Sequence, residues 1–544
     1  MHAENPILPG FHPDPSICRV GEDYFLATSS FEYFPGVPLF HSRNLVDWEP
    51  IGHALTRDDQ LPLETADSSK GVFAPTLRHH DGTFYLITTN VSAGGHFVVT
   101  ADDPRGEWSD PTWIDAPGID PDLFWDDRGD GDPTVYVTYR GGPDGIEQAE
   151  VDLETGALGE PRQLCNRLEG DYTEAPHLYE IDGTYYLLVA EGGTHTKHMV
   201  SVARADDPTE PFESHPDNPV LSHRNVSGMF NPIQATGHGD LVQAHDGSWW
   251  LVFLGIRKHG GHPGWHHLGR ETFLAPVEWN EGWPVVNGGE PVELDLEVDL
   301  DVETANPNPS PEPSADLEAD SRWETRDPFA GDELGPEWNY RHNPERDRYE
   351  LADGTGALVL HGSPATLEDE QPTFVGRRQQ HFDCLARTRL AFDPDPDVDV
   401  DEEAGLTVLY DDSHHYDLGV VRRGDDGERR AIVRQRVGDI EEITAETALP
   451  DGPVDLVCEA TTETYRFALE SAVDSAKPER ETLTTAPTKY LATEVAGGFT
   501  GVYVGLYATG HGEPCETPAR FESFEYRSTE SEAKAEVEVE ATTE

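Results

Sequence analysis

Five stretches of this 544-residue chain are variations on one theme: GEDYFLATS, DGTFYLITT, DPTVYVTYR, DGTYYLLVA and DGSWWLVFL. Each begins with a turn signal and continues into aromatic or β-branched residues and an apolar run. Alignment puts Leu26, Leu86, Val137, Leu187 and Leu251 in register, at separations of 60, 51, 50 and 64 residues. Repeats of this length, built of short strands without helical periodicity, predict a β-propeller, and five copies predict five blades. A large β-sandwich supplies hairpins too, but not five similar ones at one period. The pairs Asp81-Gly82, Asp182-Gly183 and Asp246-Gly247 are hairpin-turn chemistry.

The strand before each repeat carries the candidate chemistry. Twelve or thirteen residues back from the aligned position lie Pro13-Asp14, Phe73-Ala74, Glu174-Ala175 and His238-Gly239. The third repeat needs 17 residues to reach Asp120, because the acidic turn DDRGDGDP lengthens its hairpin. Innermost strands of a propeller all run along the central channel. Equivalent positions therefore converge, which gathers Asp14, Asp120, Glu174, His238 and Phe73 into one funnel. Two carboxyl groups across a small pocket are the minimum for glycoside hydrolysis, one as acid and one as base or nucleophile. A third beside the acid would raise its pKa by like-charge repulsion. Phe31, Phe73 and Trp249 are candidate platforms for sugar C–H faces, although propeller aromatics also pack blades together.

Past residue 300 the composition changes. Residues 301–322, DVETANPNPSPEPSADLEADSR, read as an acidic Pro-rich linker. A second strand-rich domain is expected over 323–528, from ALVLHG, FDCLARTRLAF, GLTVLYDDSHHYDLGVVRR, DLVCEATTETYRFALES, GVYVGLYATG and ARFESFEYRS, and its alternation predicts a β-sandwich. Residues 529–544 read as a disordered acidic tail. The loop DPDPDVDVDEE at 393–403 lacks EF-hand spacing and reads as a solvated acidic loop.

Charge narrows the classes of partner. With 38 Lys+Arg against 105 Asp+Glu, the formal net charge is −67, a field that repels nucleic acid and anionic membranes. No apolar run reaches the ~18–20 residues of a membrane span. The lysines are only Lys70, Lys197, Lys258, Lys477, Lys489 and Lys534. An acid-rich, lysine-poor surface suits concentrated salt, so a halophile-type cytosol is expected. The opening MHAENPILPGFHPDPS has no basic or apolar leader pattern. The five cysteines, Cys18, Cys165, Cys384, Cys458 and Cys515, are scattered without a CxxC, which argues against a disulfide framework or thiolate zinc site and for a reducing compartment.

At these residues the chain resembles glycoside hydrolase family 43, the β-xylosidase and α-L-arabinofuranosidase group. NPILPGFHPDPSICRVGEDYFLATSSFEYFPGVPLFHSRNLVDW is similar to the family's first blade. GVFAPTLRHHDGTFYL, GIDPDLFWDD, YTEAPHLYEIDGTYYLLVAEGGT and PIQATGHGDLVQAHDGSWWLVFLG follow as successive blades, and HHLGRETFLAPVEWNEGWPVVN as the closing segment. DPFAGDELGPEWNYRHNP, SPATLEDEQPTFVGRRQQ and GGFTGVYVGLYATG resemble its C-terminal concanavalin-like sandwich.

The resemblance implies inversion, with Asp14 as general base, Glu174 as general acid and Asp120 tuning and orienting the acid. It implies sugar contacts from Arg270 and Phe31. His238 would be an axial histidine that in some relatives helps hold calcium or water. Phe499, in GGFTG, would sit on a sandwich loop that seals the pocket. Phe73 stands where many β-xylosidase relatives carry Trp. The expectation is an inverting exo-glycosidase releasing xylose from non-reducing ends of short β-1,4-xylo-oligosaccharides. The alternatives are an α-L-arabinofuranosidase on the same scaffold and, in another class, a non-catalytic sugar-binding propeller. No cofactor is required, a structural calcium ion is compatible, and the expected partner is a small oligosaccharide, with homo-oligomers an analogy from relatives.

Overall fold

The structure is a computed structural model. It describes residues 2–128, 131–142, 145–300, 323–352, 356–394, 400–423, 428–470 and 480–530. The expected linker at 301–322, most of the tail, and residues 395–399 of the acidic loop lie outside them. The chain divides into two compact units: Met1–Gly264 with Arg270–Glu303, and Trp265–Gly269 with Thr304–Glu544.

The first unit is a five-bladed propeller. Its blades are antiparallel four-stranded sheets in chain order, with inner strands Ser16–Val20, Thr76–His80, Ile119–Asp126, Glu174–Ile181 and Ile233–Gln243. The fourth blade carries an extra short strand, Leu221–Ser222. The five repeats are the second strands. Leu26, Leu86, Val137, Leu187 and Leu251 face Ile17, Leu77, Leu123, Leu178 and Leu241 across the first hairpin of each blade. All five repeat positions are fully buried. Apolar side chains of neighbouring blades merge between the sheets: Ile87 and Val98 meet Leu123 and Val137, and Leu188 and Val200 meet Leu251 and Phe253.

Turn chemistry sets the hairpins. Asp81-Gly82 and Asp182-Gly183 take positive φ at both residues (46° and 84°; 51° and 83°), the geometry of two-residue hairpin turns. In the fifth blade the pairing ends at Gln243 and Trp249. Asp246-Gly247 therefore lies in a longer loop, which accounts for the one-residue difference in that repeat. The ring is closed by the chain's own start: His2–Glu4 pairs with Asp295–Glu297. Asn5 then exchanges hydrogen bonds of 2.9 Å with both backbone groups of Leu274.

The second unit is a two-sheet β-sandwich. One sheet runs Tyr349–Leu351, Leu358–Leu360, Ala519–Ser528, Cys384–Ala391, Val454–Ala460, Thr464–Glu470 and Arg480–Pro487. The other contains Ile440–Ala448, Glu428–Val437, His414–Arg423, Glu403–Asp411, Tyr503–Thr509, Thr373–Arg378 and Asn339–Arg341. Alternate residues from both enter one core that includes Leu406, Val408, Leu418, Val433, Leu456, Phe467, Leu506 and Phe521.

Candidate active site

Each inner strand of the propeller enters the channel through the residue three before its register leucine or isoleucine. Those residues are Asp14, Ala74, Asp120, Ala175 and His238. Four of them are left-handed without being glycine: Asp14 (φ 55°), Asp120 (55°), Ala175 (50°) and His238 (49°). Such conformations cost about 1–3 kcal/mol each and persist only where surrounding structure holds them. In the third and fourth blades the pairing slips beside them, between Ile119 and Asp122 and between Glu174 and His177. One extra residue is thereby inserted at the channel mouth, a β-bulge of the kind that re-aims side chains. Strict register thus gives Ala74 and Ala175 as the equivalents of Asp14, which corrects the even ring expected from sequence. Phe73 and Glu174 each precede that position by one residue, and in the fourth blade the slip beside Ala175 changes the alternation of faces.

The carboxylates nonetheless form one buried group. Asp14, Asp120 and Glu174 are each less than 9% exposed. Arg270 Nη1 donates to Asp14 Oδ1 at 2.8 Å, Ser29 Oγ donates to Oδ2 at 2.5 Å, and His238 Nδ1 lies 3.6 Å from Oδ1. Burial pushes the Asp14 pKa up, but the Arg270 charge, His238 and the Ser29 bond outweigh it and hold the carboxyl below its ordinary value. Asp14 is therefore an anion at any physiological pH. Asp120 moves the other way: burial, then the charges of Glu174 and Asp14, raise it well above the usual range. Glu174 is also raised, by burial and by Asp14, against the opposing pull of Arg140. Arg140 Nη1 donates to Glu174 Oε2 at 2.6 Å, and the Ala175 N–H donates to Asp120 Oδ2 at 3.2 Å. Both buried carboxyls therefore keep a proton to higher pH than a free carboxyl does. One carboxyl with a lowered pKa and two with raised ones thus occupy the same cup.

The expected binding residues come together around Asp14. The Phe31 and Phe73 rings lie 5.2 Å apart, and the Arg270 guanidinium sits 5.5 Å over Phe31. Phe11 adds a third ring, 5.7 Å from Phe31. Trp249 is elsewhere: it packs edge-on against Trp279 in the apolar layer of the fifth blade, so it is a packing residue and not a platform. Phe499 belongs to the second unit, in the loop after the helix Thr493–Ala496, with its ring 37% exposed.

Beneath the carboxylates lies a layer absent from the sequence reading. Arg78 reaches into the channel and donates to Asp240 Oδ2 and Asp122 Oδ1, each at 2.8 Å, and approaches His177 Nδ1 at 2.9 Å. Tyr179 donates to Asp240 Oδ1 at 2.5 Å, and Ser16 Oγ to Oδ2 at 2.8 Å. The same groups stitch the ring: Asp240 accepts the N–H of Ile17, Ser16 that of Leu77, Asp122 that of Leu178, and Tyr179 that of Leu241. These side chains bridge all five inner strands across the channel. The one available signal was spacing, since Asp122 and Asp240 stand two residues after Asp120 and His238.

The residues near His238 do not fit a directly held calcium ion. Its neighbouring carboxylates, Asp14 and Asp240, are already paired with Arg270 and Arg78. Among the described residues no three His, Cys, Asp or Glu side chains converge on a point suited to a metal.

Comparison with known proteins gives the following. Residues 3–284 match the family model described as glycosyl hydrolases family 43. Residues 326–527 match the beta xylosidase C-terminal concanavalin A-like domain. A Bacteroides ovatus protein named non-reducing end alpha-L-arabinofuranosidase is 41% identical over 96% of this chain and 94% of its own length. A Butyrivibrio fibrisolvens protein named xylosidase/arabinosidase is 38% identical over 96% and 98%. The crystal structure of xylan beta-1,4-xylosidase from Bacillus halodurans superposes with a TM-score of 0.84 at 32% identity, over 96% of this chain and all of that one.

Proposed function

From the premise that the chain belongs to glycosyl hydrolases family 43, we propose that it is an inverting exo-glycosidase removing xylose from the non-reducing ends of short β-1,4-xylo-oligosaccharides. The observation that carries this reading is the contrast within one buried cup: Asp14 held anionic by Arg270 and Ser29, Asp120 and Glu174 both raised above the ordinary carboxylate range. In the reaction Asp14 takes a proton from water as its oxygen attacks the anomeric carbon. Glu174 gives its proton to the leaving oxygen as the glycosidic bond breaks. Asp120 keeps Glu174 protonated by repulsion and, through the Ala175 N–H, fixes the bulge that presents it. Phe31 and Phe73 offer ring faces to the sugar, and Arg270 orients both Asp14 and a sugar hydroxyl. Arg78, Asp122, Asp240 and Tyr179 bridge the channel beneath the cup, which supports attack at chain ends.

Asp14→Ala and Glu174→Ala should each cut turnover of xylobiose by ~10²–10⁴. With an aryl xyloside carrying a good leaving group, Glu174→Ala should recover much of its rate and Asp14→Ala should not. Equal losses on both substrates contradict the assignment. Proton NMR of the first product tests inversion: a β-xyloside should release α-xylose first. The second reading, α-L-arabinofuranosidase, is favoured by the Bacteroides ovatus relative's name and by Phe73. Paired nitrophenyl β-xyloside and α-L-arabinofuranoside assays separate the two.

A further inference from the structure

The outward face of one sandwich sheet is buried, charged and hollow. Glu403–Asp411 alternates strictly: Ala404, Leu406 and Val408 enter the apolar core, while Glu403 and Thr407 point to the opposite side. On that side they meet Asp417, Arg434, Tyr507 and His415, all less than 9% exposed. Gly405 and Gly419, paired across the two central strands, keep the face low. A Cβ on Gly419 would stand 2.7 Å from both Glu403 Oε1 and the Tyr507 hydroxyl. Above the depression lies a cavity of about 190 Å³, capped by Thr366, Leu367 and Glu368 on one side and Asp401 and Glu402 on another.

The lining is organised and incompletely satisfied. Arg434 grips both oxygens of Glu403 at 2.7 Å, and Tyr507 adds a 2.6 Å bond. Burial pushes the Glu403 pKa up, but bonds from His511 and Arg434 hold it far below the usual carboxylate range. Asp417 accepts from Thr407 at 2.7 Å and bonds His415 Nδ1 at 2.9 Å. Among the described residues His415 Nε2, on a residue 2% exposed, has no hydrogen-bond partner, and neither has Glu402 Oε2. A buried ionic network contributes little to stability compared with apolar packing. Ionisable groups with strongly shifted pKa values around a cavity mark a candidate functional site.

We propose that this cavity binds a small neutral polyol of monosaccharide size, at a site separate from the catalytic cup. The carboxylates at its rim, Glu368, Asp401, Glu402 and Glu441, disfavour anions. Among the described residues no three ligating side chains converge for a metal, and Leu367 and Val421 are the only aliphatic ones lining the cavity. Hydroxyl groups are what remain: they donate to carboxylates and to His415 Nε2, and accept from Arg434. The ligand class follows from this lining and does not depend on the reaction assigned to the propeller.

Hydrogen–deuterium exchange of the full-length protein, with and without 100 mM D-xylose, L-arabinose or glycerol, tests the site without mutation. The expected result is protection of strands Glu403–Asp411, His414–Arg423 and Glu428–Val437 by at least one of the three probes, retained in Asp14→Ala. Protection confined to the propeller, or none with any probe, overturns the proposal. His415→Gln should weaken the sandwich protection at least tenfold in ligand concentration, while kcat on a nitrophenyl pentoside stays within twofold. Unaltered sandwich protection in a folded His415→Gln protein also overturns it. If that variant does not fold, the wild-type exchange result decides.

Discussion

Glu174 lies between two opposing charges, and each can be removed separately. Asp14 pushes its pKa up and Arg140 pulls it down, and the negative charges of Glu174 and Asp120 oppose each other's ionisation. Asp120→Asn abolishes one negative neighbour, so Glu174 loses its proton at lower pH. The alkaline limb of kcat/KM should then move down by about one unit or more. Arg140→Ala removes the cation bonded to Oε2, so the proton is held to higher pH and the same limb should move up. The acid limb, set by Asp14, should stay in place in both variants. Limbs that move together would mean that Glu174 does not set the alkaline limb. Of the groups involved, Asp14 and Asp120 were legible because the repeat register reaches them, and Glu174 because it stands one residue before the matched position. Arg140 was not. It lies on a second strand, paired with Ile119, and no spacing rule says that its guanidinium turns across to the next blade.

The inner strand as an element shows the limit of register arithmetic. Alternation along a regular strand would have put Glu174 and His177 on opposite faces, yet the slip between them lets both take part in the channel. Nothing in Asp14, Asp120, Ala175 or His238 announces a left-handed backbone, because none is glycine. The tertiary structure imposes it, through bonds such as Ala175 N–H to Asp120. The polar floor was invisible for a related reason: Arg78 ties its own blade to the third, fourth and fifth, through partners 44, 99 and 162 residues away. Its removal leaves two buried carboxylates without their cation, so Arg78→Met should destabilise the propeller by about 3–5 kcal/mol. Adding Asp240→Asn should return part of that loss, because one uncompensated charge disappears. Denaturant unfolding of the two single variants and the double variant measures the coupling, and strict additivity would show that the pair is not an energetic unit.

At the scale of the whole molecule, two electrostatic effects respond oppositely to salt. Surface ion pairs such as Arg167–Asp171 and Arg57–Glu107 weaken as the Debye length falls to ~3 Å at 1 M, but each contributes only ~0–1 kcal/mol. The buried pairs, Arg78–Asp240 and Arg434–Glu403, have side chains at most 15% exposed and are screened much less. Self-repulsion from a net charge of −67 acts across the entire surface and is what screening relieves most. Repulsion relief therefore exceeds pair loss, and the unfolding midpoint should rise steeply from 0.1 to 1 M KCl and then flatten. A gain of several kcal/mol corresponds to roughly 10 °C or more at ~2–4 °C per kcal/mol. NaCl at equal ionic strength should reproduce most of that rise, since screening depends on ion concentration and not identity. A midpoint unchanged between 0.1 and 1 M would show that the acidic surface is tolerated without salt, and would remove the case for a halophile-type cytosol.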